Sequence, residues 1–487
     1  MNPKPKRLFL AFLAATTLVA CGGGSNNNDS DGPDANSDLP ETPSTYNFDS
    51  PFTEGESSVS YTGQTKRHIL ISDLTAAIKN LDDTPGQDVV SDLNFFFDFD
   101  SSSSDTIDYD YSLNGETVVP GPTYGDIASG KSLVGKIAGN DPGLINDEFF
   151  GWEDGMDASP TPEELVGHFF ASLEQIASDG ATDQITVAGG TNVDIDVNYV
   201  SNTGLDYAQL VQKFLLGAVT FSQGTGDYLQ TNFSENNDVA ASGKHYSFAQ
   251  HKWDEAFGYF GAARDYNDYE DDEIAGKGGR PAYENGYFDS NNDGDIDLRS
   301  EINIGNATNC AKRDRGAEVE TDFTKEAFDA FLLGRTLLNQ DSNLTETQLE
   351  QLQTAALTAS VTWEKCIAAT VVHYINDTLD DMATFTNDNY YADLAAFKDH
   401  AKHWGEMKGF ALGLQFNPDS PFRADTAALN KLKTVLSLMG DAPVLADGTQ
   451  NGSAFPGGVD QYRDDLLEAR DILEEVYQFN STNVEHW

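Results

Sequence analysis

Thr345-Glu346-Thr347-Gln348 opens the stretch that decides the fold. A threonine N-cap with a glutamine three residues on is a capping box, and no proline interrupts the residues that follow up to Met382. A helix is therefore predicted over 346–382, the longest in the chain. Working outward, helical patterning predicts further helices over 323–339 before it and over 388–413, 425–439 and 459–479 after it. Upstream, helices are predicted over 206–222 and 243–263, and Thr161-Pro162-Glu163-Glu164 gives another start signal, with Leu165, Phe169, Leu173 and Ile176 at helical spacing. Gly-rich and acidic loops fill 265–301 and 441–458. The segment 46–198 reads as mixed α/β or loop-rich, and Phe95-Phe96-Phe97-Asp98-Phe99 and Ile107-Asp108-Tyr109-Asp110-Tyr111 fit short strands or ordered loops. The expected fold is mostly α, a two-lobed helical bundle.

The first residues read as an export signal. Lys4, Lys6 and Arg7 precede an uncharged run over 8–20 that is too short to span a membrane, and Leu18-Val19-Ala20-Cys21 resembles the lipobox of bacterial lipoprotein signals. The expectation is a signal peptide over 1–20, cut before a lipid-bearing Cys21; an ordinary secretory signal with a chance cysteine is the alternative. Gly22 rather than Asp follows the cysteine, which in enteric-type sorting favours the outer membrane, with the protein facing either the periplasm or the cell surface. Residues 21–45 form the anchor and a polar tether with too little apolar surface to fold.

The rest is long enough for about two to three domains or lobes, and 39% hydrophobic residues allow a sizeable core. Lobes 46–264 and 302–487, joined by the acidic loop 265–301, fit this pattern. A formal charge of −51 repels nucleic acid and anionic lipid, so a membrane partner has to be reached through the lipid on Cys21. Cys310 and Cys366 remain as a disulfide pair in an oxidising compartment, with two buried free thiols as the alternative.

Asp289-Ser290-Asn291-Asn292-Asp293-Gly294-Asp295-Ile296-Asp297 carries the most specific chemistry. Oxygen ligands at positions 1, 3 and 5, a turn glycine at 6 and an apolar residue at 8 match an EF-hand-type Ca2+ loop. Position 12 is Ser300, so Asp297 or Glu301 has to supply the last carboxylate. A second candidate site comes from His251 with Glu255 and His403 with Glu406, spaced so that imidazole and carboxylate share a helix face and a transition metal, iron, zinc or haem iron. These histidines flank an internal echo, Trp253-Asp254-Glu255-Ala256-Phe257-Gly258 and Trp404-Gly405-Glu406-Met407-Lys408-Gly409; chance similarity of amphipathic helices is the competing explanation. Gly125-Asp126-Ile127-Ala128-Ser129-Gly130-Lys131-Ser132 fits the P-loop spacing but lacks a buried lead-in strand, and is rejected. Neither H-E-x-x-H nor G-x-S-x-G occurs, and no catalytic nucleophile stands out, so the chain reads as a binder more than an enzyme.

Tyr46-Asn47-Phe48, Ser57 through Thr65, His251 through Gly261, Ala311-Lys312-Arg313-Asp314 and Phe410 through Pro418 resemble the landmarks of an uncharacterised bacterial lipoprotein family. That family is similar to the imelysin-like (iron-regulated, insulin-cleaving-type) proteins. The resemblance implies an imelysin-like helical domain over 46–487, a link to iron uptake and a G-x-H-x-x-E metal motif. Gly243-Lys244-His245 matches the start of that motif, but Phe248 stands where the glutamate belongs. The expected function is an envelope-anchored lipoprotein that binds a metal or metal-loaded ligand in iron acquisition, served by an outer-membrane uptake partner and braced by structural calcium. An imelysin-type metallopeptidase and a non-enzymatic surface or envelope interaction module are the alternatives.

Overall fold

The Thr345 hydroxyl accepts the Gln348 amide at 3.2 Å and the Gln348 side chain returns to the Thr345 amide at 2.9 Å, starting a helix that runs over Glu346–Ala383. The computed structural model describes residues 40–81, 88–100, 118–119, 123–156, 160–178, 183–235, 237–238, 240–340 and 344–487. Its principal helices are α1 (Thr62–Lys79), α2 (Val89–Phe97), α3 (Pro162–Ser178), α4 (Tyr207–Leu215), α5 (Phe248–Phe260) and α6 (Asn306–Arg315). They continue with α7 (Phe323–Gln340), α8 (Glu346–Ala383), α9 (Leu394–Gly413), α10 (Thr426–Met439) and α11 (Gly458–Tyr477). The architecture is mostly α, as the periodicity predicts, and the described strands are short two-stranded pairs. Residues 1–39, with the signal and Cys21, lie outside the described residues, as does Ile107–Tyr111.

Local chemistry fixes the helix starts. Asp206, Asp393 and Asp425 each accept an amide three residues on, and Ser247 with Gln250 forms another capping box. Two elements depart from expectation. Phe95-Phe96-Phe97 is helical: Asp88 caps the Ser91 amide at 3.0 Å, and Val89, Leu93 and Phe97 bury one face at i, i+4, i+8. An aromatic triplet imitates a strand only when its longer-range spacing is overlooked. The other departure is α1, where Gly63 through Ile71 are all buried, including Lys66, Arg67 and His68. With polar residues inside on every side, α1 has no amphipathic signature.

Helix α8 is the hub, packing most extensively on α7 and α9 and also against α6 and α11. Cys366 in α8 is disulfide-bonded to Cys310 in α6 across 56 residues of chain, both fully buried. Loop closure of that length stabilises by about 4 kcal/mol in the chain-entropy model. Helix α9 lies against α4 through glycines at every fourth position. A Cβ on Gly409 would meet the Lys213 Cβ at 2.7 Å, and one on Gly413 would meet the Gly217 Cα at 3.1 Å. Gly217 sits in a π-helical turn, Leu216–Phe221, that continues α4.

Residues 40–487 form one compact unit, and most of their buried apolar side chains join a single cluster. Side chains from 46–264 and from 302–487 interdigitate in it: the Trp253 indole lies on Gly334 and donates to the Phe331 carbonyl at 2.9 Å. Among the described residues, no helix is long and apolar enough to cross a membrane.

The N-terminal strap, 46–60, is tied down by charge. Arg335 on α7 and Asp254 on α5 are both fully buried and meet at 2.7 Å. Tyr46 donates to Asp254 at 2.9 Å, the Ser60 amide donates to its other oxygen at 3.0 Å, and Arg335 also donates to the Ser58 hydroxyl at 2.7 Å and to Asn339 at 3.0 Å. Breaking a buried pair strands a charge, at a cost of about 3–5 kcal/mol. Arg335→Met is expected to lower the unfolding free energy in urea by that order, and the Asp254→Leu/Arg335→Met double variant by less than Arg335→Met alone. A single-variant cost under about 1 kcal/mol, the range of exposed pairs, contradicts this role.

Candidate functional site

The two echoing helices carry their predicted pairs in different settings. On α5, His251 Nε2 lies 3.9 Å from Glu255 Oε1, so these two are neighbours. His251 Nδ1 meets the Ser60 carbonyl at 3.0 Å, which makes Nδ1 the donor. Tyr246 stacks on the imidazole, and Gln64 of α1 donates to Glu255 Oε1 at 3.0 Å. The imelysin-type start, Gly243-Lys244-His245, stays in the loop before the Ser247 cap, and Phe248 is exposed at the first helical position. That motif and the His251/Glu255 pair therefore do not share a helix face.

On α9 the expected partnership changes. Glu406 accepts from Tyr374 at 2.9 Å and pairs with Lys213 at 3.4 Å and Lys402 at 3.8 Å. His403 turns instead to α8, where its Nδ1 meets Asp381 Oδ2 at 2.7 Å and its Nε2 lies 3.8 Å from Asp377 Oδ2. His373, one turn before Asp377, approaches the same Asp377 oxygen with its Nε2 at 3.3 Å. Two imidazoles thus converge on one carboxylate while a second carboxylate orients one of them. All four side chains are 18–30% exposed, so solvent reaches the cluster.

The charges here follow from burial and neighbours. Burial, reinforced by the Arg313 guanidinium, pushes His373 down to about 3, so its ring is neutral at neutral pH. Burial also opposes charge on His403, but the hydrogen bond and charge of Asp381 outweigh it and raise the imidazole above its ordinary value. Asp377 is raised by desolvation against the pull of His403. The residues missed in sequence, His373, Asp377 and Asp381, recur at i, i+4, i+8 on the predicted helix, the same spacing that singled out His251 and Glu255. Among the described residues, no group of three or more His, Cys, Asp or Glu side chains is gathered closely enough to hold a metal ion as it stands.

The acidic loop adopts a tight turn. Asp289 accepts the amides of Asp293 at 3.1 Å and Gly294 at 2.9 Å, Asn291 accepts the Asp293 amide at 2.8 Å, and Asp293 accepts the Asp295 amide at 3.0 Å. Gly294 takes φ +94°, which a side chain there would resist. Ile296 is buried and its backbone pairs in parallel with Val118. Of the two substitutes for position 12, Asp297 is held by Arg299 at 2.9 and 3.0 Å. Glu301, buried, closes the loop by accepting from the Ser290 amide at 3.0 Å and the Asp297 amide at 2.9 Å. The rejected P-loop stretch contains one short helix, Tyr124–Ile127, capped by Thr123, and only a three-residue 3-10 turn, Val134–Lys136, follows it.

Fold and clusters together define a mostly α-helical domain whose ionisable groups collect at helix junctions. A family model described as a domain of unknown function (DUF4856) matches residues 43–422, most of the chain, and the chain belongs to that family. No curated protein and no solved structure matches it.

Proposed function

We propose that the protein is an outer-membrane lipoprotein, anchored through lipid on Cys21, that binds a metal ion or a metal-loaded ligand in iron acquisition, together with an uptake partner in the envelope. The kinship with imelysin-like proteins belongs to the same proposal. The observation that carries it is the convergence of His373 and His403 on Asp377, with Asp381 on the far ring nitrogen of His403. A carboxylate behind a ligating histidine fixes its ring and raises its basicity, and two histidines with one carboxylate suit iron or zinc. Donor atoms stand about 3.4 Å apart around a tetrahedral zinc with bonds of about 2.1 Å, against 3.3 and 3.8 Å here. A bound ion therefore has to draw His403 in slightly and displace any proton from its Nε2, so affinity falls as pH falls. His251 and Glu255 supply a second, two-donor position. A peptidase needs a free base beside an open coordination position, and Glu406, one turn after His403 on α9, is engaged by Tyr374 and Lys213.

Calcium is the proposed brace of the acidic loop. Asp289, Asn291 and Asp293 keep unused lone pairs beyond the amides they accept, the Asp295 carbonyl takes position 7, and Glu301 stands behind the loop, whereas Asp297 is spent on Arg299. The acidic surface raises the local concentration of any cation.

Elemental analysis of the chain purified from its native envelope is expected to show a transition metal, diminished in His373→Ala and in His403→Ala while the melting temperature stays close to wild type. Unchanged metal content in both variants sinks this assignment. For the loop, chelation should lower the melting temperature, by an amount equivalent to about 2.7 kcal/mol where calcium stood at a hundred times its Kd, and Asp293→Ala should remove the sensitivity. A wild-type melt indifferent to chelator contradicts it. Labelled palmitate should enter the wild-type chain and not Cys21→Ser; label retained in that variant places the lipid elsewhere.

A further inference from the structure

A cavity of about 240 Å3 opens where α1, α4, α6 and α9 meet. In a chain with 80 acidic and 29 basic side chains, none of the described residues lining this cavity is acidic, and two are lysines, Lys213 and Lys312. Gln212 and Asn309 add polar groups, while Ile71 and Phe410 give it an apolar wall. Lys213 is engaged by Glu406 at 3.4 Å. Lys312 makes no ion pair or hydrogen bond among the described residues. The first turn of α6, entered at Gly305 without a side-chain cap, also lines the cavity and adds the positive end of a helix dipole.

We propose that this cavity binds a small organic carboxylate, with Lys312 as its charge partner. The apolar wall selects an organic body over a bare inorganic anion. The volume lies below the roughly 300 Å3 where pockets for drug-sized ligands begin, so the ligand is small. Burial and the neighbouring charges of Lys213 and Arg313 hold Lys312 down to about 8, with Glu406 opposing them, so a bound anion relieves an existing electrostatic cost. None of the residues lining the cavity is a proposed metal ligand, and the site needs no metal.

The test is calorimetric titration of the full chain in chelator-treated buffer with succinate and with inorganic phosphate. Succinate should bind saturably, phosphate much more weakly; Lys312→Met should weaken succinate by roughly tenfold or more, and Lys312→Arg should largely retain it. Without ligand, Lys312→Met should melt a few degrees higher than wild type, because an unpaired, largely buried cation is gone. In the wild type alone, binding at pH 8 should take up protons, read from the dependence of heat on buffer ionisation, since an anion raises the pKa of the lysine it meets. No saturable heat, no proton uptake, or succinate binding untouched in Lys312→Met overturns the proposal. Phosphate binding as tightly as succinate overturns the carboxylate assignment.

Discussion

Asp254 and Arg335 face each other with no solvent around either, and that requirement organises much of the molecule. Neither charge is tolerable in the core alone, and the two together still need hydrogen bonds for their remaining oxygens and N–H groups. The N-terminal strap supplies them: Tyr46 and the Ser60 amide serve the carboxylate, and the Ser58 hydroxyl serves the guanidinium. Satisfying the pair lays residues 46–60 across α5 and α7. The strap then brings the Ser60 carbonyl to His251, and the α1 that follows brings Gln64 to Glu255. The sequence landmarks around 46, 57–65 and 251–261 are thus parts of one hydrogen-bonded junction rather than separate motifs.

The same economy of cations runs through the interior. Lys66 is buried with its ammonium 2.8 Å from the Ala128 carbonyl and over the Phe99 ring, and Lys408 is buried against the carbonyls of Leu436 and Gly440 beside Asp441. Basic residues placed inside a mostly acidic chain act as tie points between segments distant in sequence. The exterior is left acidic, which favours cations in the surrounding layer. In that setting the histidine cluster between α8 and α9 is the proposed metal position, and the lysine cavity between α1, α4, α6 and α9 is the local exception.

The helices with an apolar face were readable from sequence, among them α11 and the side-chain-capped α3, α8, α9 and α10, because capping and periodicity are local properties. Helix α1 was not, because its first half buries polar side chains beside the apolar ones that follow, and their partners, Tyr259, Ser132 and Ala128, lie far along the chain. The triplet Phe95–Phe97 misled because adjacent aromatics suit strands and helices alike until a cap and a spacing of four decide. At the candidate site, i, i+4 spacing found His251 and Glu255 correctly as neighbours. The i, i+3 spacing of His403 and Glu406 did not make them partners, because His403 turns to Asp377 and Asp381 of α8, and no spacing within α9 reveals what α8 presents to it.

In the proposed function His373, Asp377 and His403 form one metal position. The most direct measurement is an anomalous difference map from a crystal of the protein soaked in zinc and recorded at the zinc edge. A peak is expected within bonding distance, about 2.0–2.2 Å, of His373 Nε2, His403 Nε2 and an Asp377 oxygen, with Asp381 still on His403 Nδ1. A map with zinc elsewhere and none between these three side chains contradicts it.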